Sequence, residues 1–241
     1  MLKFFNLLLS IVFPDKCIVC LGAIDHEGYC DKCKGLIKEI DVPTCFNCGT
    51  DLKHCTCDKY IYHFDGLTAP YYNEGLAQQA VYDFKFTHSF RSVKVFSEVM
   101  AKRAAKVFGV ENIDIITCVP SGRKSFIKRG FNQSEVYAVE VAKHLERPFV
   151  KDLLKRKNSV DTQHKQKGVT ARFDNVRNGY VGLRSVKGKN ILLVDDIKTT
   201  GASLDECARQ LKICGAEKVY CLTALVSKFS KATDTNNDNL K

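Results

Sequence analysis

The chain has 241 residues, 45% of them hydrophobic, and carries 37 Lys and Arg against 27 Asp and Glu, a net charge of +10. This length admits one substantial α/β domain and a small companion module, and the apolar content excludes a chain too polar to bury a core. The charge is uneven: residues 121–189 hold 17 basic and 6 acidic side chains, and the remainder nets −1. Such a segment reads either as the footprint of a polyanion or as a solvated basic surface.

Residues 1–13, MLKFFNLLLSIVF, are apolar with a single Lys. The run is too short to span a bilayer, and no small-residue cleavage site follows it. We expect an apolar N-terminal helix over 1–16, packed on the next module. A membrane-surface anchor and a signal peptide are the alternatives.

Eight of the twelve cysteines then fall in four short pairs: Cys17 and Cys20, Cys30 and Cys33, Cys45 and Cys48, Cys55 and Cys57. A C-x2-C pair turns two thiolates toward one tetrahedral ion, and two pairs close a structural zinc site. Four clustered pairs fit zinc better than a secreted disulfide framework or a redox pair. The last pair is C-x-C, and His54 has the x2 spacing to Cys57, so His54 and Cys55 are alternative ligands. Which pairs combine is left open. A zinc ribbon over 17–58 has too few large apolar residues to hold a fold without metal. Cys118, Cys207, Cys214 and Cys221 sit in core-like patterns and read as small buried apolar residues.

From residue 60 the pattern becomes α/β. Residues 60–72 read as strand and turn, 75–86 and 91–108 as helices, and 113–119 (IDIITCV) as a buried strand. Pro120, Ser121, Gly122, Arg123 and Lys124 end that strand in a small-residue turn with two cations. Lys128 to Gln133, KRGFNQ, precede a helix over 134–145. Residues 150–190 are basic, and 181–189 return the chain to the sheet. Residues 203–214 read as a helix stopped by Gly215, residues 218–226 as another strand, and 230–241 as a disordered tail.

The most informative string is NILLVDDIKTTGAS at 190–203. Apolar residues 191–194 read as a buried parallel strand. Small residues let backbone N–H groups approach an anion, and a helix N-terminus adds partial positive charge. Thr199, Thr200 and Ser203 add hydroxyl donors beside Lys198, Gly201 and Ala202. This suits a phosphate monoester, and Asp195 and Asp196 suit a vicinal diol, so together they describe a ribose 5-phosphate. The plainer reading is a strand-to-helix turn capped by Ser203, with two solvated acids. The spacing of a Walker A loop is absent.

VDDIKTTGAS resembles the phosphoribosyl-pyrophosphate (PRPP) loop of type I phosphoribosyltransferases. The chain from 14 to about 228 resembles the ComF-type family of the competence and GntX-like group. The resemblance rests on Pro14-Asp15-Lys16-Cys17, the paired cysteines, VPSGRKSFIKRGFNQ, KNILLVDDIKTTGAS, and Gln163, Arg172 and Asn175. It implies an α/β fold over 60–229, a type I phosphoribosyltransferase-like parallel sheet with helices on both faces. It implies ribose hydroxyls on Asp195 and Asp196, the acids of any catalysis, with the 5-phosphate on the 199–203 loop. Ser121, Gly122, Arg123 and Arg129 are the expected pyrophosphate side, and Mg²⁺ the expected companion of PRPP.

The function implied is a role in DNA uptake for natural transformation, with other competence proteins as partners and single-stranded DNA on the basic segment. Two alternatives stand: an active phosphoribosyltransferase in nucleotide metabolism or salvage, and an inactive zinc-stabilised scaffold. An active enzyme would displace pyrophosphate from C1 of the ribose, with Arg123, Arg129 and Mg²⁺ stabilising the leaving group. No general base for an acceptor is evident in the sequence. Zinc thiolates and PRPP imply a cytoplasmic location, with peripheral membrane contact through the N-terminus.

Overall fold

The computed structural model describes residues 15–25, 28–55, 57, 61–87, 91–157 and 176–228. The expected helix at 1–14, Gln163, Arg172 and Asn175, and the tail from 230 lie outside them. Two residues of that expected helix are instead strand: β1 (Asp15–Lys16) pairs antiparallel with β2 (Ala23–Ile24). A short helix, α1 (Asp31–Leu36), follows, and Cys30 is its N-cap.

The α/β part begins with β3 (Gly66–Thr68) and β4 (Tyr71–Tyr72). Then come α2 (Gly75–Thr87), α3 (Arg91–Phe108), β5 (Ile115–Cys118), α4 (Arg123–Arg129) and α5 (Gln133–Leu145). Two three-residue strands, β6 (Leu154–Arg156) and β7 (Tyr180–Gly182), pair antiparallel outside the main sheet. The chain closes with β8 (Asn190–Lys198), α6 (Ala202–Ile213) and β9 (Lys218–Val226).

The main sheet has the order β3-β9-β8-β5, with β4 also on β9, and every pairing is parallel. The unbroken apolar run of β8 follows from burial on both faces. Leu192 and Val194 join one core with Phe96, Met100, Tyr137 and Val141 of α3 and α5. Ile191 and Leu193 join another with Leu204, Cys207 and Leu211 of α6. Each such side chain contributes roughly 1.5–3 kcal/mol through burial. A one-residue slip would exchange the two faces, so the register is firmly set.

Three local differences from the sequence reading have physical causes. Strand β8 continues to Lys198 because Asp195, Ile197 and Lys198 keep partners on β9 (Thr223, Leu225 and Val226). Helix α4 buries no side chain, so it leaves no apolar stripe in the sequence; Gly130, at φ 77°, closes it with an N–H bond to the Phe126 carbonyl. Helix α6 starts at Ala202 behind Gly201 rather than behind a Ser203 cap.

The connections set where a ligand can sit. After α5 the chain flanks the outer edge of β5, where Ile116 bonds Pro148 and Val150. From β8 it turns the other way, through α6 to β9. The loops after β5 and β8 therefore diverge at the carboxyl ends of the strands, where the crevice of an open α/β sheet usually takes its ligand. The cysteine-rich module sits on the opposite flank. Phe46 O accepts from the Leu67 N–H, and the Phe46 ring lies 6.0 Å from Phe108. Gly49, at φ 77°, brings its backbone against Leu67, 3.2 Å from where a Cβ would be.

Candidate functional site

The cysteines form two quartets, Cys17, Cys20, Cys30, Cys33 and Cys45, Cys48, Cys55, Cys57, with sulfurs all within 4.8 Å inside each. Cys20 and Cys30 sulfurs are 3.8 Å apart, Cys45 and Cys57 3.7 Å, and Cys48 and Cys55 3.5 Å. A tetrahedral ion with Zn–S near 2.3 Å places its sulfurs about 3.8 Å apart, so both quartets fit structural zinc. Sequential pairs combine, and Cys55 takes the place for which His54 competed. The Cys33 N–H points to the Cys30 sulfur at 3.5 Å, which helps hold a thiolate.

At the crevice, the acidic pair is built into the end of β8. Ser134 Oγ donates to Asp195 Oδ1 at 2.6 Å, and the same oxygen accepts the Asp196 N–H at 2.9 Å. Asp196 Oδ1 accepts the Ile197 N–H at 2.9 Å. Each carboxylate is half-buried with one oxygen fixed by these bonds. Desolvation, together with the neighbouring Asp196 charge, pushes the Asp195 carboxyl well above the usual carboxylate range, and the Ser134 bond opposes that rise.

The RGFNQS stretch explains how these loops are held. The Phe131 ring packs tilted against Phe84, centroids 5.2 Å apart, and Asn132 Nδ2 donates to the Val119 carbonyl at 2.9 Å. Val119 N–H in turn bonds the Val194 carbonyl at 3.0 Å. Asn132 thus clamps the end of β5 while Ser134, two residues on, reaches the end of β8.

The 199–203 loop is braced from elsewhere. Gly201 adopts φ 85°, and a Cβ there would meet the Tyr62 ring at 3.2 Å. Glycine is therefore required by both conformation and space. Tyr62 OH donates to the Thr200 carbonyl at 3.1 Å, and Tyr62 stacks on Phe64 at 4.5 Å. His63 N–H donates to Asp205 Oδ1 at 2.6 Å, one turn into α6. Thr199 is exposed, and Thr200 and Ser203 are half-exposed at the head of that helix.

The sequence-derived site residues divide. Asp195, Asp196, Thr199, Thr200, Gly201, Ala202 and Ser203 share one loop, and Ser121 and Gly122 stand at the neighbouring strand end. Lys198 does not face outward: it is 1% exposed. Desolvation pulls its ammonium down to about 8, against the thiol charges of Cys48, Cys57, Cys45 and Cys55, which raise it. Its Cε lies 3.4 Å from where a Gly201 Cβ would be, so the side chain is enclosed beneath the loop while feeling the charge of the second quartet. Arg123 is exposed, and Arg129 donates to Gln133 Oε1. Ser134 and Tyr62 are contributors that the sequence did not single out. Only Ser134 has a local signal, its place directly after FNQ.

Residues 132–239 match the phosphoribosyl transferase domain family, and residues 8–61 match the double zinc ribbon domain family. The chain is 27% identical over 235 residues to competence protein F of Haemophilus influenzae, covering 91% of this chain and 96% of that protein. It is 25% identical over 225 residues to the DNA utilization protein YhgH of Escherichia coli, covering 88% and 98%. It is 26% identical over 201 residues to competence protein ComFC of Bacillus subtilis, covering 77% and 78%.

Proposed function

The chain belongs to the ComF family, and on that premise we propose that its crevice binds PRPP and that it acts in DNA uptake and utilisation. The observation that carries the binding reading is the fixed acidic pair beside the small hydroxylated loop at the head of α6. In this reading the 5-phosphate rests on the backbone of 199–203 with the Thr200 and Ser203 hydroxyls. Asp195 and Asp196 accept from the two ribose hydroxyls. Adjacent carboxylates are hard oxygen donors of the kind Mg²⁺ takes, so the donor set suits a sugar that carries a Mg²⁺-bound pyrophosphate. The protein's own part is to orient the ribose and to hold its charge.

Calorimetric titration with PRPP and Mg²⁺ tests this reading. The wild type should bind, and the Asp195→Asn/Asp196→Asn variant should lose at least about tenfold in affinity, the scale of charge-assisted hydrogen bonds. Undiminished binding by that variant would overturn the assignment.

A second reading concerns the basic stretch, whose net charge over 121–189 supports contact with single-stranded DNA. Affinity for a labelled oligonucleotide should fall steeply with salt, and salt-independent or undetectable binding would end it. Thiolate zinc sites and PRPP both suit a reducing compartment, so we assign the protein to the cytoplasm. Among the described residues, no helix is long and apolar enough to cross a membrane.

A further inference from the structure

Where the cysteine-rich module meets α3, the two border a cleft of about 690 Å³, within the size range of small-molecule sites. One wall is a face of α3: Val99, Lys102, Arg103 and Lys106 follow the i, i+3, i+4, i+7 spacing that puts side chains on one side of a helix. The other wall includes Val42, Pro43, Leu52 and Lys53 of the module. No residue of the loops after β5 or β8 lines this cleft, so it is separate from the crevice.

The module's wall is tied in place. Ile40 N–H donates to the Pro70 carbonyl at 2.8 Å, Leu52 N–H donates to the Pro43 carbonyl at 3.2 Å, and Tyr72 OH donates to Asp51 Oδ2 at 2.5 Å. Arg103 joins the two walls and is only 6% exposed. Its Nη2 donates to the Ile40 carbonyl at 2.6 Å and to Glu39 Oε2 at 3.3 Å. Its Nη1 is buried and has no hydrogen-bond partner among the described residues. A buried charged donor is seldom left without an acceptor, because its desolvation is then uncompensated.

The charges around Arg103 do not cancel. Glu39 is engaged by Arg103 and Asp51 by Tyr72, which leaves Asp41 against Lys53, Lys102 and Lys106, all exposed. Lys102 holds Glu98 at 2.6 Å in an exposed pair, a weak commitment. Lys53 and Lys106 make no ion pair among the described residues. The cleft thus offers a guanidinium and free ammonium groups beside an apolar wall of Val42, Pro43, Leu52 and Val99.

We propose that this cleft is a second anion site and that it takes a small organic phosphate. The Arg103 guanidinium with the Lys53 and Lys106 ammonium groups holds the phosphate oxygens. The apolar wall takes the body of the ligand. A ligand held by both walls ties the module to the sheet domain. This site is independent of the sugar-phosphate reading of the crevice.

The test is titration of the intact, zinc-loaded protein with phenyl phosphate, inorganic phosphate and benzoate, with hydrogen exchange to locate the bound probe. Phenyl phosphate should protect amides within 39–53 and 99–106. Inorganic phosphate should bind about tenfold more weakly or worse, because it leaves the apolar wall unused. Benzoate, with one charge for two, should also bind more weakly. Lys53→Ala/Lys106→Ala should weaken phenyl phosphate by about tenfold or more with an unchanged melting temperature, since both side chains are exposed. Arg103→Lys, which keeps the charge but not the fork, should weaken it as well. Protection confined to 199–203, or undiminished affinity in the double lysine variant, would overturn the site. Inorganic phosphate or benzoate binding as tightly as phenyl phosphate would overturn the ligand class.

Discussion

The ribbon and the sheet are held together by different physics. In the ribbon the most enclosed side chains include metal ligands: Cys17, Cys33 and Cys48 are buried, while Leu36, Phe46 and Leu52 are about half exposed or more. In the sheet the reverse holds: Ile191, Leu192, Leu193 and Val194 are wholly buried between helices on both faces. The ribbon's stability is then set by zinc, and the sheet's by apolar area removed from water. The two meet through Phe46 and Gly49 against Leu67 and Phe108, and Lys198, on a sheet strand, also feels the charge of the second quartet.

The largest expected effect breaks the comparison open by removing metal. Structural zinc contributes roughly 10–16 kcal/mol in isolated zinc-finger peptides. Chelation should release two zinc ions per chain and abolish hydrogen-exchange protection over 15–57, while β8 and β9 amides stay protected. Loss of protection on β8 in step with the ribbon would show that the sheet depends on the metal as well.

Replacing the residue at the boundary should be milder. Groups around a metal site, beyond its ligands, typically change metal affinity about 10- to 100-fold. Lys198→Met is expected at the lower end of that range for the Cys45, Cys48, Cys55, Cys57 site, with the first quartet as an internal control. Equal weakening of both sites, measured by competitive chelation, would place Lys198's effect in general unfolding.

Asp195 sharpens the comparison within the sheet domain. Its carboxyl is pushed up in the folded state by desolvation and by Asp196, so folding favours the protonated form. The native state is therefore most favoured at low pH by this group, and that benefit is lost as pH rises from the unfolded value near 3.8 through the folded one. Asp195→Asn removes the ionisation. Denaturant unfolding should find the variant more stable than wild type, by a margin that widens above pH 4, even as ligand binding is lost. Equal stability at all pH values would contradict the desolvation argument.

Long apolar periods made much of the fold legible. The strand at 218–226 and the helix at 91–108 were expected with the bounds they have. Helix α4 was not legible because it turns no side chain into a core. Strands β6 and β7 are three residues each, with one buried side chain apiece, so no alternation could develop in the basic stretch. At the site, the loop after β8 was legible because a phosphate cradle needs contiguous small and hydroxylated residues. Its supports were not: Ser134 reaches Asp195 across 61 positions and Tyr62 reaches Thr200 across 138, and such partnerships leave no local spacing to read. Lys198 sits inside the motif, and its burial, with Cε 3.4 Å from where a Gly201 Cβ would be, is a tertiary property that no local spacing could announce.

The central claim is that the backbone at the head of α6 and the Asp195–Asp196 pair hold the two ends of one ribose 5-phosphate. The position of the ligand in a crystal soaked with PRPP and Mg²⁺ tests it most directly. We expect the 5-phosphate within hydrogen-bond distance of the 199–203 amides and the ribose hydroxyls on both carboxylates. A phosphate bound elsewhere on the chain, with the acidic pair untouched by sugar, would contradict it.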